Sequence, residues 1–227
     1  MKEIKVLYED KYLILCEKPA GMPSQPDMSG QDDCQSCLLQ KYPTVMLVHR
    51  LDTPTGGVMV FAKDKKTAGK LSLLVQNHDI DGVFGMAKTY LAVLPGDPQF
   101  CEGEIKDLLF HDKQKNKSFV AEKERKGVKQ ASLIWKRIAQ SSDGKLLIAV
   151  HLQTGRTHQI RVQFSSRGYP LCGDGKYGSR VKCPFIALWS YSLSFIHPIT
   201  KERISGVSIP DTECGIWQEF SLDNISI

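Results

Sequence analysis

From Lys5 to Glu17 apolar and polar residues first alternate and then turn apolar (V-L-Y-E-D-K-Y-L-I-L-C-E), which predicts a hairpin turning at Glu9 to Lys11. Lys18-Pro19-Ala20-Gly21-Met22-Pro23 then forbids regular structure and reads as a fixed loop. Two β-branched apolar runs, Val45 to Val48 and Val58 to Ala62, predict buried strands with Thr53 to Gly57 as the turn between them. Asp64 can cap a helix from about Lys65 to Asn77 whose buried stripe is Ala68, Leu71, Leu74 and Val75. Lys88 to Leu94 predicts a strand closed by Pro95-Gly96, and residues 103–127 read as an exposed polar and basic excursion. Gln130 to Ile138 and Lys145 to Leu152 return as strands joined at Asp143-Gly144. Thr154 is an N-cap candidate for a helix ending near Arg167-Gly168, with Ile160 and Phe164 on its core face and Thr157 and Arg161 on another. A glycine-dense loop, Gly168 to Gly178, precedes a core strand, Ile186 to Phe195, and a turn at His197-Pro198. The pattern is α+β: mostly antiparallel strands with few helices.

At 227 residues the chain can form one large domain or two small lobes sharing a cleft. Its 41% hydrophobic and 24% charged residues are those of an ordinary globular protein. The net charge of +5 is mild but uneven, since Lys113, Lys115, Lys117, Lys123, Arg125, Lys126 and Lys129 crowd one stretch. Such a cluster either attracts phosphate backbones or keeps a surface loop solvated. No apolar run approaches a membrane span and the N-terminus lacks a signal-peptide core, so a cytoplasmic protein is expected. Seven scattered cysteines are then expected as free thiols, mostly buried. Cys34-x-x-Cys37 lacks a second pair to complete a zinc site; with Leu38 it forms one face of a short helix capped by Asp32 or Asp33. No metal or cofactor is expected.

The candidate chemistry centres on H-R-L-D-T-P-T-G-G-V-M-V-F-A-K-D, His49 to Asp64. Strand alternation would put Arg50 and Asp52 on one side and His49 and Leu51 on the other. Gly56 and Gly57 allow a sharp bend or the approach of something large. On these residues alone the stretch is either a site for a bulky ligand or a hairpin bearing a surface ion pair. The glycine-dense loop fails the phosphate-binding G-x-x-x-x-G-K-[ST] spacing, and neither G-x-S-x-G nor H-E-x-x-H occurs. Nucleoside triphosphate binding, common serine hydrolysis and zinc proteolysis are therefore unsupported.

Four segments in order resemble the RluA-type pseudouridine synthase family: H-R-L-D-T-P-T-G-G with A-K-D, K-T-Y-L-A-V-L-P-G, L-Q-T-G-R-T-H-Q-I-R-V, and G-Y-P-L-C-G-D-G-K-Y-G. The opening V-L-Y-E-D-K-Y-L-I-L-C-E-K-P-A-G-M-P and the late L-W-S-Y-S-L-S-F-I-H-P-I-T-K-E are also similar to family segments. The resemblance implies a mixed, mostly antiparallel sheet of two halves with a central RNA-binding cleft, in one catalytic domain over residues 1–227 without an S4 domain. It also implies isomerisation of a uridine in ribosomal or transfer RNA by a monomer. Asp52 matches the essential carboxylate, which either attacks C1′ or takes a proton from C2′. Tyr90 matches the tyrosine that stacks on uracil and removes the C5 proton, and Arg161 the cation that keeps the acid ionised. Arg50 corresponds to the residue that fills the gap left by the flipped base, with Arg156, His158 and Gln159 as further substrate contacts. Two positions depart from the family pattern: Gly56 stands where Ser is usual, and Gln163 where His is usual.

Overall fold

The computed structural model describes residues 3–77, 81–96, 101–211, 215–222 and 225. In chain order the elements are β1 (Lys5–Glu9), β2 (Leu13–Lys18), α1 (Cys34–Leu39), β3 (Met46–Leu47), β4 (Gly56–Ala62), α2 (Lys65–Gln76), β5 (Met86–Leu94) and β6 (Glu102–Asp112). There follow β7 (Lys117–Ala121), β8 (Val128–Gln140), β9 (Leu146–Leu152), α3 (Gln159–Ser165), β10 (Leu188–Ile196) and β11 (Arg203–Val207), with 3-10 turns at Gly175–Tyr177 and Gly215–Glu219. The class is α+β, as the sequence pattern predicts. The chain divides into two compact units, Met1–Thr89 with Trp189–Pro210, and Tyr90–Leu188 with Asp211–Ile227.

In the first unit β4 is buried along its whole length, which explains its unbroken run of apolar residues. β2 pairs antiparallel with one edge of β4. On the other edge β10 runs parallel beside Gly56 and Gly57, and β3 pairs antiparallel with Phe61 and Ala62. β1 and β11 extend the sheet antiparallel to β2 and β10. One core joins Leu13, Leu15, Val58, Val60, Leu193, Phe195 and Ile204, and Ala68, Leu71, Leu74 and Val75 of α2 pack against it, the expected stripe. Asp64 and Asp33 cap α2 and α1 by accepting the Thr67 and Ser36 amides. Cys34, Cys37 and Leu38 are the buried face of α1, as their spacing predicts.

In the second unit β9, β8, β6 and β7 follow one another antiparallel. Residues 103–127 are therefore not an excursion: β6 and β7 form a hairpin that is part of the sheet. The lysines hide a one-sided pattern in which Ile105, Leu109 and Ser118 turn inward between polar neighbours. Thr154 does not cap α3 either. Its hydroxyl donates to Gln159 Oε1 at 2.7 Å and accepts the Ser132 amide at 2.9 Å, and the helix starts five residues later. Thr157 consequently lies outside the helix, and His158 enters it with φ at 55°, a left-handed conformation uncommon away from glycine. Cys214 lies outside the described residues; the other six cysteines are free thiols, with Cys16, Cys34, Cys37 and Cys172 buried.

Candidate functional site

Asp52 lies in the first unit, in a segment fixed on both sides by the loop after β2. Ser24 Oγ donates to the Leu51 carbonyl at 2.9 Å and accepts its amide at 3.1 Å. The Gly21 amide donates to the Thr53 carbonyl at 2.9 Å. Lys18 is wholly buried and its ammonium donates to the carbonyls of Pro19, Met22 and Thr53 at 2.9, 2.6 and 3.2 Å. Loss of water lowers its pKa to about 8, against the opposing pull of Cys34 and Asp52. Proline and glycine at 19, 21 and 23 shape a pocket of carbonyls around one ammonium. The half-buried Asp52 thus stands between two immobilised neighbours.

The segment 48–52 is not a strand, and the expected alternation of burial holds only at Arg50 and Leu51, with Val48, His49 and Asp52 all half-buried. Arg50 is exposed, Leu51 is buried, and His49 Nε2 accepts the Val60 amide at 3.2 Å. Burial and then the charge of Lys88 push His49 well below its usual pKa, in keeping with an accepting, neutral ring. The turn runs from Asp52 to Thr55, closed by the Thr55 amide on the Asp52 carbonyl at 2.9 Å. Gly56 and Gly57 belong to β4 rather than to that turn. What comes close to them is β10: a Cβ on Gly56 would lie 2.1 Å from Trp189 Cζ3, and one on Gly57 2.2 Å from the Ser190 carbonyl oxygen. The family's usual serine at Gly56 would therefore strike Trp189.

The remaining candidates belong to the second unit. Tyr90 is buried on β5. Arg161 is buried on α3, where Nε and Nη2 donate to Asp174 Oδ2 and Oδ1 at 2.7 and 2.8 Å. This planar, two-point ion pair holds the guanidinium in one orientation. Tyr177 supports it from the side, its ring centroid 5.1 Å from the guanidinium carbon. Asp174 and Tyr177 come from G-D-G-K-Y-G, so the glycine-dense loop serves to brace an arginine. Gly173 and Gly178 have φ of 79° and 95°, and a Cβ on Gly173 would meet the Phe185 carbonyl oxygen at 2.5 Å. Asp174 was not legible from spacing; an acid flanked by glycines after the arginine helix was the available signal.

The Tyr177 hydroxyl accepts the Ser118 amide at 2.8 Å and lies 3.2 Å from the Ser118 carbonyl and 3.0 Å from His158 Nδ1. A proton on His158 Nδ1 would satisfy all three contacts, with the hydroxyl donating to the carbonyl. Gln159 is buried and braces its own loop, accepting from Thr154 and the Arg156 amide and donating to the Ser132 carbonyl. Arg156 is exposed, with Nε on the Gln130 carbonyl at 2.9 Å. Gln163, the second departure, donates to Asp107 Oδ2 at 2.9 Å in a buried setting. Among the described residues no group of His, Cys, Asp and Glu is arranged as a metal site.

The RNA pseudouridylate synthase family model matches residues 12–166. The uncharacterized RNA pseudouridine synthase YhcT of Bacillus subtilis is 31% identical over 89% of this chain and 67% of that protein. The dual-specificity RNA pseudouridine synthase RluA of Vibrio parahaemolyticus is 32% identical over 85% of this chain and 78% of that protein. Human RNA pseudouridylate synthase domain containing 1 shares the fold, with a TM-score of 0.74 at 20% identity over 91% of this chain and 83% of that one. The chain belongs to the RNA pseudouridylate synthase family, in its RluA-type branch.

Proposed function

We propose that this RNA pseudouridine synthase isomerises a uridine in structured ribosomal or transfer RNA, with Asp52, Tyr90 and Arg161 carrying the chemistry. The bond from N1 to C1′ breaks, the uracil turns, C5 joins C1′, the C5 proton leaves and N1 gains a proton; atoms and electrons then balance without a cofactor. Asp52 supplies the carboxylate that either attacks C1′ or removes the C2′ proton. Tyr90 offers a flat face to the base and a phenol oxygen to the C5 proton. Arg161 is the fixed cation that favours an ionised acid. Arg50, exposed beside Asp52, is assigned to the space a flipped base leaves, which costs a few kcal/mol to open. Arg156 contacts the RNA backbone; His158 and Gln159, expected as substrate contacts, are both buried, and they serve as supports, His158 on Tyr177 and Gln159 on the loop that carries Arg156. The protein acts as a cytoplasmic monomer. Among the described residues no helix is long and apolar enough to cross a membrane.

The observation that carries this reading is the double clamp on the backbone either side of Asp52, Ser24 on Leu51 and Lys18 with Gly21 on Thr53, within the family's catalytic motif. Asp52→Asn is expected to abolish tritium release from cellular RNA labelled at uridine C5 while RNA binding persists. Tyr90→Phe should bind and stall. Absence of release by the unaltered protein from any cellular RNA would replace the enzyme with an RNA-binding module of the same fold.

A further inference from the structure

A cavity of about 680 Å³ opens in the second unit, and neither Arg161 and Asp174 nor any other residue assigned to the chemistry lines it. Its size falls in the range of about 300–1,000 Å³ typical of ligand sites. Leu109, Phe110 and His111 of β6 line it together with Ser118 of β7. Lys113, Lys129 and Arg156 bring three cations to it, and Thr157 adds part of the wall. The acid there, Asp112, is engaged by its own turn, Oδ1 accepting the amides of Gln114 and Lys115 at 2.9 and 3.0 Å. Apolar and aromatic lining with surrounding cations matches a planar base flanked by phosphates. A bare anion would leave the apolar part unused.

The hydrogen bonds also fix what His111 offers. Ser118 Oγ donates to the Thr157 carbonyl at 2.6 Å, so toward His111 Nδ1, at 3.2 Å, it can only accept. Nδ1 therefore carries a proton, and in the neutral ring Nε2 is left as an acceptor for an N–H on a base edge. The floor is rigid because the hairpin is anchored at two more points. Lys117 Nζ donates to the Lys176 carbonyl at 2.7 Å, and Lys176 Nζ to the Asn116 carbonyl at 2.9 Å. His111 meets His158 edge-on with centroids 6.1 Å apart, His158 bonds Tyr177, and Tyr177 supports Arg161. The pocket is thus joined by packed rings to the arginine's support.

From this geometry we infer that the pocket takes one unpaired nucleotide of the substrate RNA, its base edge on His111 and its phosphates on Lys113, Lys129 and Arg156. This rests on the proposed action on RNA and adds a second point of recognition, lined by other residues than those assigned to the chemistry. The pocket reads a neighbour of the target and so contributes to target choice.

The test follows the His111 ring by NMR in the full chain while the four nucleoside 5′-monophosphates and inorganic phosphate are added separately. Saturable movement of His111 with at least one nucleotide, and none with inorganic phosphate, is expected. Thr157→Trp, which fills the cavity from an exposed position, and Lys129→Glu should each weaken that binding by about tenfold, or ~1.4 kcal/mol. No movement, equal movement with inorganic phosphate, or binding indifferent to both substitutions would overturn the proposal. Asp52→Asn should bind the monophosphates as the unaltered protein does. Failure of tritium release with intact His111 shifts would then count against the isomerase, and the converse against the pocket.

Discussion

Lys18 and Lys88 are both buried lysines with pKa lowered to about 8, but their surroundings predict opposite responses to removal. Three carbonyls receive the Lys18 ammonium, whereas among the described residues Lys88 has no carboxylate partner and its charge bears on His49. Lys18→Met leaves buried acceptors unpaired and should lower stability by ~3 kcal/mol. Lys88→Met removes an uncompensated charge and should raise the unfolding midpoint at neutral pH. Both lysines titrate near 10.5 when unfolded, so between pH 8 and 10.5 the unfolded chain holds more protons than the folded one. Stability from these two groups therefore rises with pH across that window, and Lys88→Met should flatten the rise in urea titrations. Asp174 is a positioning residue that acts through Arg161. Asp174→Asn keeps the shape but loses the charge and one acceptor, so kcat in the tritium assay should fall at least about tenfold while RNA affinity stays near normal. Equal kcat would confine the Asp174 pair to folding.

At the scale of elements, the contact between β4 and β10 makes the Gly56 departure intelligible. Gly56→Ser pushes a Cβ into Trp189, which is itself held by Nε1 bonds to the Ser208 carbonyl and hydroxyl at 3.0 and 3.1 Å. Overpacking of this kind should destabilise by roughly 2 kcal/mol. Combining it with Trp189→Leu should cost less than the sum of the two single changes, a coupling that denaturant unfolding measures directly. The sequence signals for α2 and its stripe, the β1–β2 hairpin, β5, β8, β9 and β10 were strong because period and caps agreed. The reading of Gly56 and Gly57 as a turn failed because a glycine pair also marks close strand approach, and the approaching Trp189 is over a hundred residues away. Thr154 has the chemistry of a cap and so makes the sequence pattern start α3 too early, and only the fold reveals that its partner is Gln159. The motif resemblance nominates Asp52, Tyr90 and Arg161, but the contacts of Lys18, Ser24, Asp174 and Tyr177 with those segments depend on distances that no spacing rule contains.

Over the whole molecule, the modest net charge conceals a concentration of cations on the hairpin of β6 and β7 and the segment that follows. RNA affinity should fall steeply as salt rises, with a slope of about 0.9 per phosphate neutralised. Replacing Lys113 and Lys115 by Gln should reduce that slope by about 2 if each meets one phosphate, as fluorescence anisotropy across a salt series would show. Uniform loss without a change of slope would place the contacts elsewhere. The division of the chain also governs the order of folding. The core around Leu13, Leu15, Val58 and Val60 is completed by Leu193, Phe195 and Ile204, which are made last or nearly so. During synthesis its early strands therefore wait, with an apolar face uncovered, through about a hundred residues of the other unit. Ribosome-bound chains halted before β10 should be captured by chaperones and cut readily by protease, and chains released after β11 should resist both.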